Sequence, residues 1–202
     1  MDIPISIDTD KAAVARAAVE AGADLVNDVS AGLHDADMIR TCAELQVPMV
    51  FMHIRGTSST MTQLTEYSDD LVSDVAQELR AQLDLATECI PLWAQWIDPG
   101  IGFAKTADQN LRLLHPENLK RFKGMLDDRT MLVGVSRKRF LSGFVNKTGG
   151  DLGKDDILPR DWLTAGACCA AVAGHADVIR VHNVTDIKRA CDVMKAALAS
   201  PL

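Results

Sequence analysis

Strand-length apolar runs alternate with helix-length amphipathic ones along the whole chain, and no other feature restricts the fold as much. Residues 4–8 (PISID), 24–28 (DLVND), 48–53 (PMVFMH), 131–136 (MLVGVS) and 178–182 (VIRVH) read as strands, and residues 96–98 end another. Runs this short, bounded by turn residues, fit strands rather than independent helices. Helical patterns fall over residues 10–21, 35–45 and 67–88, the last with Leu71, Val75, Leu79, Leu83 and Ala86 on one face. In the first, Val14, Ala17, Ala18 and Ala21 form a small-residue stripe suited to packing on a sheet, with Gly22 as the stop. Thr185 is expected to cap a final helix carrying Ile187, Ala190, Met194 and Leu198. Strand followed by helix implies parallel βαβ units, with sheet faces covered on both sides. A doubly wound sheet or a (β/α)8 barrel satisfies that pattern.

Residues 143–156 (GFVNKTGGDLGKDD) read as a long flexible loop, not a domain linker, so residues 1–202 form one domain. A net charge of -7 argues against a general nucleic-acid or anionic-membrane binder. Cys42, Cys89, Cys168, Cys169 and Cys191 show no metal-site or redox spacing, which implies reduced thiols and a cytoplasmic setting. No basic flank precedes an apolar run at the N-terminus, and the apolar stretch at 165–173 is too short to span a bilayer.

The polar residues carry the functional signal. Asp8, Asn27, His53, Asp98, the Ser136-Arg137-Lys138 run and Arg180 with His182 all fall at or near the C-terminal ends of strands. In parallel α/β folds that end holds the ligand. Each residue alone could be a cap or turn former, and His53 could simply bond a neighbouring loop. Asp8, Asn27 and Asp98 together offer acceptors to a heterocycle rich in N–H donors, such as a 2-amino-pyrimidinone ring. Lys138, Arg180 and His182 suit a phosphate or pyrophosphate. His34, His115 and His175 read as surface or turn residues. Lys147 and Lys154 read as solvated, and neither KTGG nor Lys105-Thr106 has phosphate-loop spacing. The Ala-rich stretch at 163–173 suits close packing or a dimer face.

SIDT, LVNDVS, MVFMH, DPGIGF-x-K, GVSRKRF and IRVH, in this order and over essentially the whole chain, closely resemble dihydropteroate synthase. The resemblance implies a (β/α)8 TIM barrel that joins 4-aminobenzoate to 6-hydroxymethyl-7,8-dihydropterin pyrophosphate. It implies that Asp8, Asn27 and Asp98 bond the pterin, with Met52 packing near it. Phe103 and Lys138 would border the pterin and aminobenzoate pockets, and Ser136 the aminobenzoate side. Arg180 and His182 would hold the departing pyrophosphate, with Lys138, Arg180 and His182 as the catalytic set. It also implies Mg²⁺ on the pyrophosphate and a homodimer when the barrel is complete.

Two strands of that barrel precede the first one found here. One ends in N-x-TPDSF, whose Asn helps hold Mg²⁺, and the other in D-x-GG-x-STRP, which closes over aminobenzoate. Neither motif occurs in these 202 residues, where a barrel of this kind takes about 250. The expectation is an incomplete barrel of six βα units, corresponding to strands 3–8, with no metal ligand of its own and little or no synthase activity alone. Two alternatives stay open: a non-catalytic pterin-binding remnant or subunit, and a pterin-dependent methyltransferase. SRKRF and R-x-H favour the synthase over the latter.

Overall fold

The computed structural model describes residues 3–146 and 157–200. Its first four strands, β1 (Ser6–Asp8), β2 (Leu25–Asp28), β3 (Met49–Met52) and β4 (Gln95–Asp98), pair in parallel in sequence order. β5 (Leu132–Gly134) and β6 (Val178–Arg180) form a second parallel pair. A bridge between Ile97 and Met131, with the Ile97 N–H donating to Thr130 O at 2.9 Å, joins the two sheets. Six parallel staves thus follow one another as in a barrel, and the doubly wound alternative, with its reversal of strand order, is set aside.

Helices cover the outside: α1 (Ala12–Glu20), α2 (Met38–Leu45), α3 (Leu71–Ala86), α4 (Ala107–Leu114), α5 (Pro116–Met125), α6 (Arg139–Asn146), α7 (Ile157–Ala173) and α8 (Val184–Ala199). The Asp70 carboxylate starts α3 by accepting the Ser73 N–H at 3.2 Å. Every member of the expected α3 stripe is buried, against a core that includes Met49, Phe51 and Ile97. Each fully buried Leu or Val there contributes about 1.5–3 kcal/mol relative to exposure.

Three sequence expectations are corrected. The inward face of α1 is Ala12 and Ala15, while Val14 is 44% exposed. The Ala12 N–H donates to Asp35 Oδ2 at 2.8 Å and α1 packs on α2, which fixes a different rotation of the helix. α8 is capped by Asn183, whose side-chain oxygen accepts the Asp186 N–H at 3.3 Å, so Thr185 lies inside the first turn. Along α8 only Ile187 is buried, because the helix packs mainly on α7. Residues 143–146 of the expected loop end α6, and residues 147–156 lie outside the described residues. Lys147 and Lys154 therefore lie outside them as well.

Among the described residues β1 pairs only with β2, and β6 only with β5. The gap between these edges opens a cavity of about 620 Å³ whose apolar lining includes Trp96, Leu132, Val178 and Ile179. No helix among the described residues is long and apolar enough to cross a membrane.

Candidate active site

Strand register assembles the site. Asp8 stands opposite Asn27, Met52 opposite Asp98, and Gly134 opposite Arg180, so neighbouring staves deliver polar ends side by side. All nine site residues implied by the resemblance line one cavity of about 240 Å³ at the C-terminal mouth. Asp8, Asn27 and Asp98 form its acceptor wall. The Asn27 Nδ2 donates to Asp8 Oδ1 at 2.8 Å, and Asp8 also pairs with the Arg180 guanidinium across the mouth. Asp98 is buried and accepts the Gly100 N–H at 2.7 Å, with no protein hydrogen bond to its second oxygen among the described residues. Burial pushes the Asp98 carboxyl up, against the opposing pull of Lys138, the Gly100 N–H and Lys105.

The other wall is cationic. Lys138 Nζ lies 4.4 Å from the Phe103 ring centroid and donates to the Ile101 carbonyl. Burial pulls its ammonium down to about 8, which the Asp98 charge partly offsets. Ser136 Oγ is 2.7 Å from His182 Nδ1 and accepts the His182 N–H at 3.2 Å, tying two strand ends together. Met52 and Phe103 supply the apolar surface between the walls.

The DPGIGF turn runs between these walls because two of its glycines permit close approach. Gly100 has φ +67°, and a Cβ there would stand 1.9 Å from the His53 carbonyl oxygen. Gly102 has φ +85°, and a Cβ there would meet Lys138 Cδ at 2.6 Å. Both backbones adopt the left-handed region that side chains resist.

Two strand-end residues do not face the cavity. His53 is buried beneath the turn, its Nε2 3.0 Å from Glu78 Oε2 and its Nδ1 2.9 Å from Lys105 Nζ. Lys105 continues upward to the carbonyls of Gly100 and Phe103, at 3.1 Å each. Burial pulls Lys105 down to about 7 and His53 down to about 4. His53 therefore supports the turn that presents Asp98 and Phe103. Lys105 was visible in the sequence as the last residue of DPGIGF-x-K, but only the fold returns its amine to the turn. Arg137 likewise leaves the cavity and pairs with Asp161 on α7, at 2.8 and 3.1 Å. Asp161 sits in no local motif and ends up beside the site through tertiary packing alone.

Residues 1–182 match the family described as pterin binding enzyme. The chain belongs to that family. Within it, the chain is 46% identical over 199 residues to a dihydropteroate synthase of Synechocystis, covering 97% of this chain and 64% of that relative. The chain thus spans less than two thirds of that relative's length. The crystal structure of dihydropteroate synthase from Stenotrophomonas maltophilia superposes with a TM-score of 0.86 at 33% identity, over 100% of this chain and 72% of that one. A Xanthomonas albilineans dihydropteroate synthase, solved with 7,8-dihydropteroate, gives 0.84 at 31% identity over 100% and 69%. Among these pterin binding enzymes the six staves described here form part of a larger barrel.

Proposed function

We propose that this chain carries a dihydropteroate synthase site, which condenses 6-hydroxymethyl-7,8-dihydropterin pyrophosphate with 4-aminobenzoate to give 7,8-dihydropteroate and pyrophosphate. The observation that carries this reading is the pairing, in one cavity, of an acceptor wall with a cationic wall. Asp98, with one oxygen fixed by Gly100 and the other open, suits the amine and ring N–H of a pterin, and Asn27 and Asp8 extend that edge. Lys138, Arg180 and His182 suit the pyrophosphate. The C–O bond from the pterin methylene to pyrophosphate breaks, the C–N bond to the arylamine forms, and the nitrogen gives its proton to solvent or the departing anion. Charge develops positive on the methylene and negative on the leaving group, so fixed walls of opposite sign stabilise both.

Mg²⁺ enters this proposal only as part of the substrate's pyrophosphate complex. Among the described residues no three or more His, Cys, Asp or Glu side chains converge, so these residues do not form a metal cage and no step is assigned to the ion. A homodimer and a cytoplasmic setting belong to the same reading. The first is supported by Leu158 and Trp162, exposed together where α7 meets α8, and the second by five free thiols.

Titration calorimetry with the pterin pyrophosphate tests the pterin reading. The chain should bind it, and Asp98→Asn, with its fold checked by circular dichroism, should bind about a hundredfold more weakly. A chain that binds no pterin overturns the proposal. Pterin binding without turnover is the second reading, favoured by the open side between β1 and β6. Incorporation of labelled 4-aminobenzoate separates the two.

A further inference from the structure

We propose that Asp161 is a positioning residue for the cationic wall, locking the two loops that carry Lys138 and His182 into one unit. The inference rests on the reading that this wall receives the anionic arm of the substrate.

The turn after β5 depends on an unusual residue. Arg137 has φ +57°, a left-handed conformation that a non-glycine side chain adopts only when its surroundings hold it there. Helix α7 supplies what holds it. The Arg137 N–H donates to Thr164 Oγ1 at 3.0 Å, and the guanidinium donates to Asp161 through Nε at 2.8 Å and Nη2 at 3.1 Å. Asp161 and Thr164 lie one turn apart on α7, and both are buried. With Arg137 drawn outward to the helix, its neighbours Ser136 and Lys138 line the cavity.

The same carboxylate reaches the next loop. Asp161 Oδ2 accepts from Asn183 Nδ2 at 3.2 Å, and Asn183 both follows His182 and caps α8. One rigid helix therefore fixes the ends of two strands through one side chain. The Arg137 and Asn183 bonds hold the Asp161 carboxyl below its ordinary range, so it stays charged near neutral pH. Asp161 has no hydrogen bond to Asp8, Asn27 or Asp98 among the described residues, which leaves the acceptor wall independent of it.

The test compares two ligands and two variants. Titration of the chain with the pterin pyrophosphate and with the corresponding pterin alcohol, which lacks the anionic arm, should show a selective effect. Asp161→Asn should weaken the pyrophosphate ligand by about tenfold and leave the alcohol within about twofold, since bidentate charged contacts set the loop geometry. Hydrogen exchange of the ligand-free chain gives a second readout. Asp161→Asn should speed amide exchange at both 136–138 and 182–184, and Thr164→Val only at 136–138. Equal weakening of both ligands, or unchanged exchange in both loops, overturns the proposal. Failure of the unsubstituted chain to bind either ligand would refute the functional reading instead, and the exchange data would still decide the role of Asp161. If Asp161→Asn does not fold, Arg137→Gln breaks the same pair from the other side, and unaltered exchange at 136–138 in that chain refutes the lock.

Discussion

Acidifying the solution from pH 6.5 to 4 protonates an ordinary histidine but leaves His53 neutral in the folded chain, and the difference should be measurable as lost stability. The His53 side chain is 1% exposed, with Nε2 3.0 Å from Glu78 and Nδ1 2.9 Å from the Lys105 amine. Lys105 donates to Nδ1, so the ring's single proton sits on Nε2 and goes to Glu78. A second proton would set two donors against each other. Burial, followed by the Lys105 charge, pulls His53 from 6.5 to about 4. The unfolded chain therefore takes up a proton across that window and the folded chain does not. Stability falls as pH falls from 6.5 to 4 and levels off below 4, where both states carry the proton. At 1.36 kcal/mol per tenfold change in proton affinity, the loss is about 3 kcal/mol, a large share of the roughly 5–15 kcal/mol that holds a domain together.

Urea denaturation at pH 7, 6, 5 and 4 measures it, with His53→Gln as the reference. Gln keeps a donor and an acceptor but does not titrate in this range. Groups that do not touch His53 act in both proteins and cancel in the comparison, and Glu78, which does touch it, titrates mostly below this window. Glu78, which Arg55 and His53 hold down to about 2 against the effect of burial, loses stability in acid below its ordinary range. His34 is held up by Asp10 and gains stability on acidification. The unsubstituted chain should lose about 3 kcal/mol more than His53→Gln between pH 6.5 and 4. Identical slopes would refute the assignment of His53 as a neutral buried strut.

Two further outcomes follow from the same turn. Gly100→Ala should cost at least about 3 kcal/mol in urea denaturation, because it adds left-handed strain to a Cβ placed 1.9 Å from backbone oxygen that cannot move aside. Lys138→Met should weaken the pterin pyrophosphate by about tenfold or more while sparing the pterin alcohol. In the unsubstituted chain, affinity for the pyrophosphate should fall as pH rises through about 8, where Lys138 loses its charge, and that fall should be absent from Lys138→Met by calorimetry.

Much of the site was legible because in a parallel sheet the ligand end of every strand is its C-terminal end, and the chain marks those ends with Asp8, Asn27, Asp98, Lys138, Arg180 and His182. α3 was legible because Leu71, Val75, Leu79 and Leu83 keep one helical period against one sheet. α1 was not, because alanines surround the helix and periodicity cannot tell which of them turns inward. The start of α8 was misplaced because Asn183 and Thr185 are both good caps, and the bond from Asp186 decides between them.

The sequence by itself determined the alternation of strand and helix, the parallel direction of the sheet and the kinds of group at its mouth, since these follow from local periodicity and residue chemistry, whereas the strand order came from the fold. Tertiary structure alone decided which strand-end residues face the cavity. His53 and Arg137 turn away from it, to Lys105 with Glu78 and to Asp161, each partner at least 24 residues distant in the chain. A buried charge or imidazole must find a partner wherever packing leaves one, and that partner is set by which helices meet, a contact that no local pattern encodes.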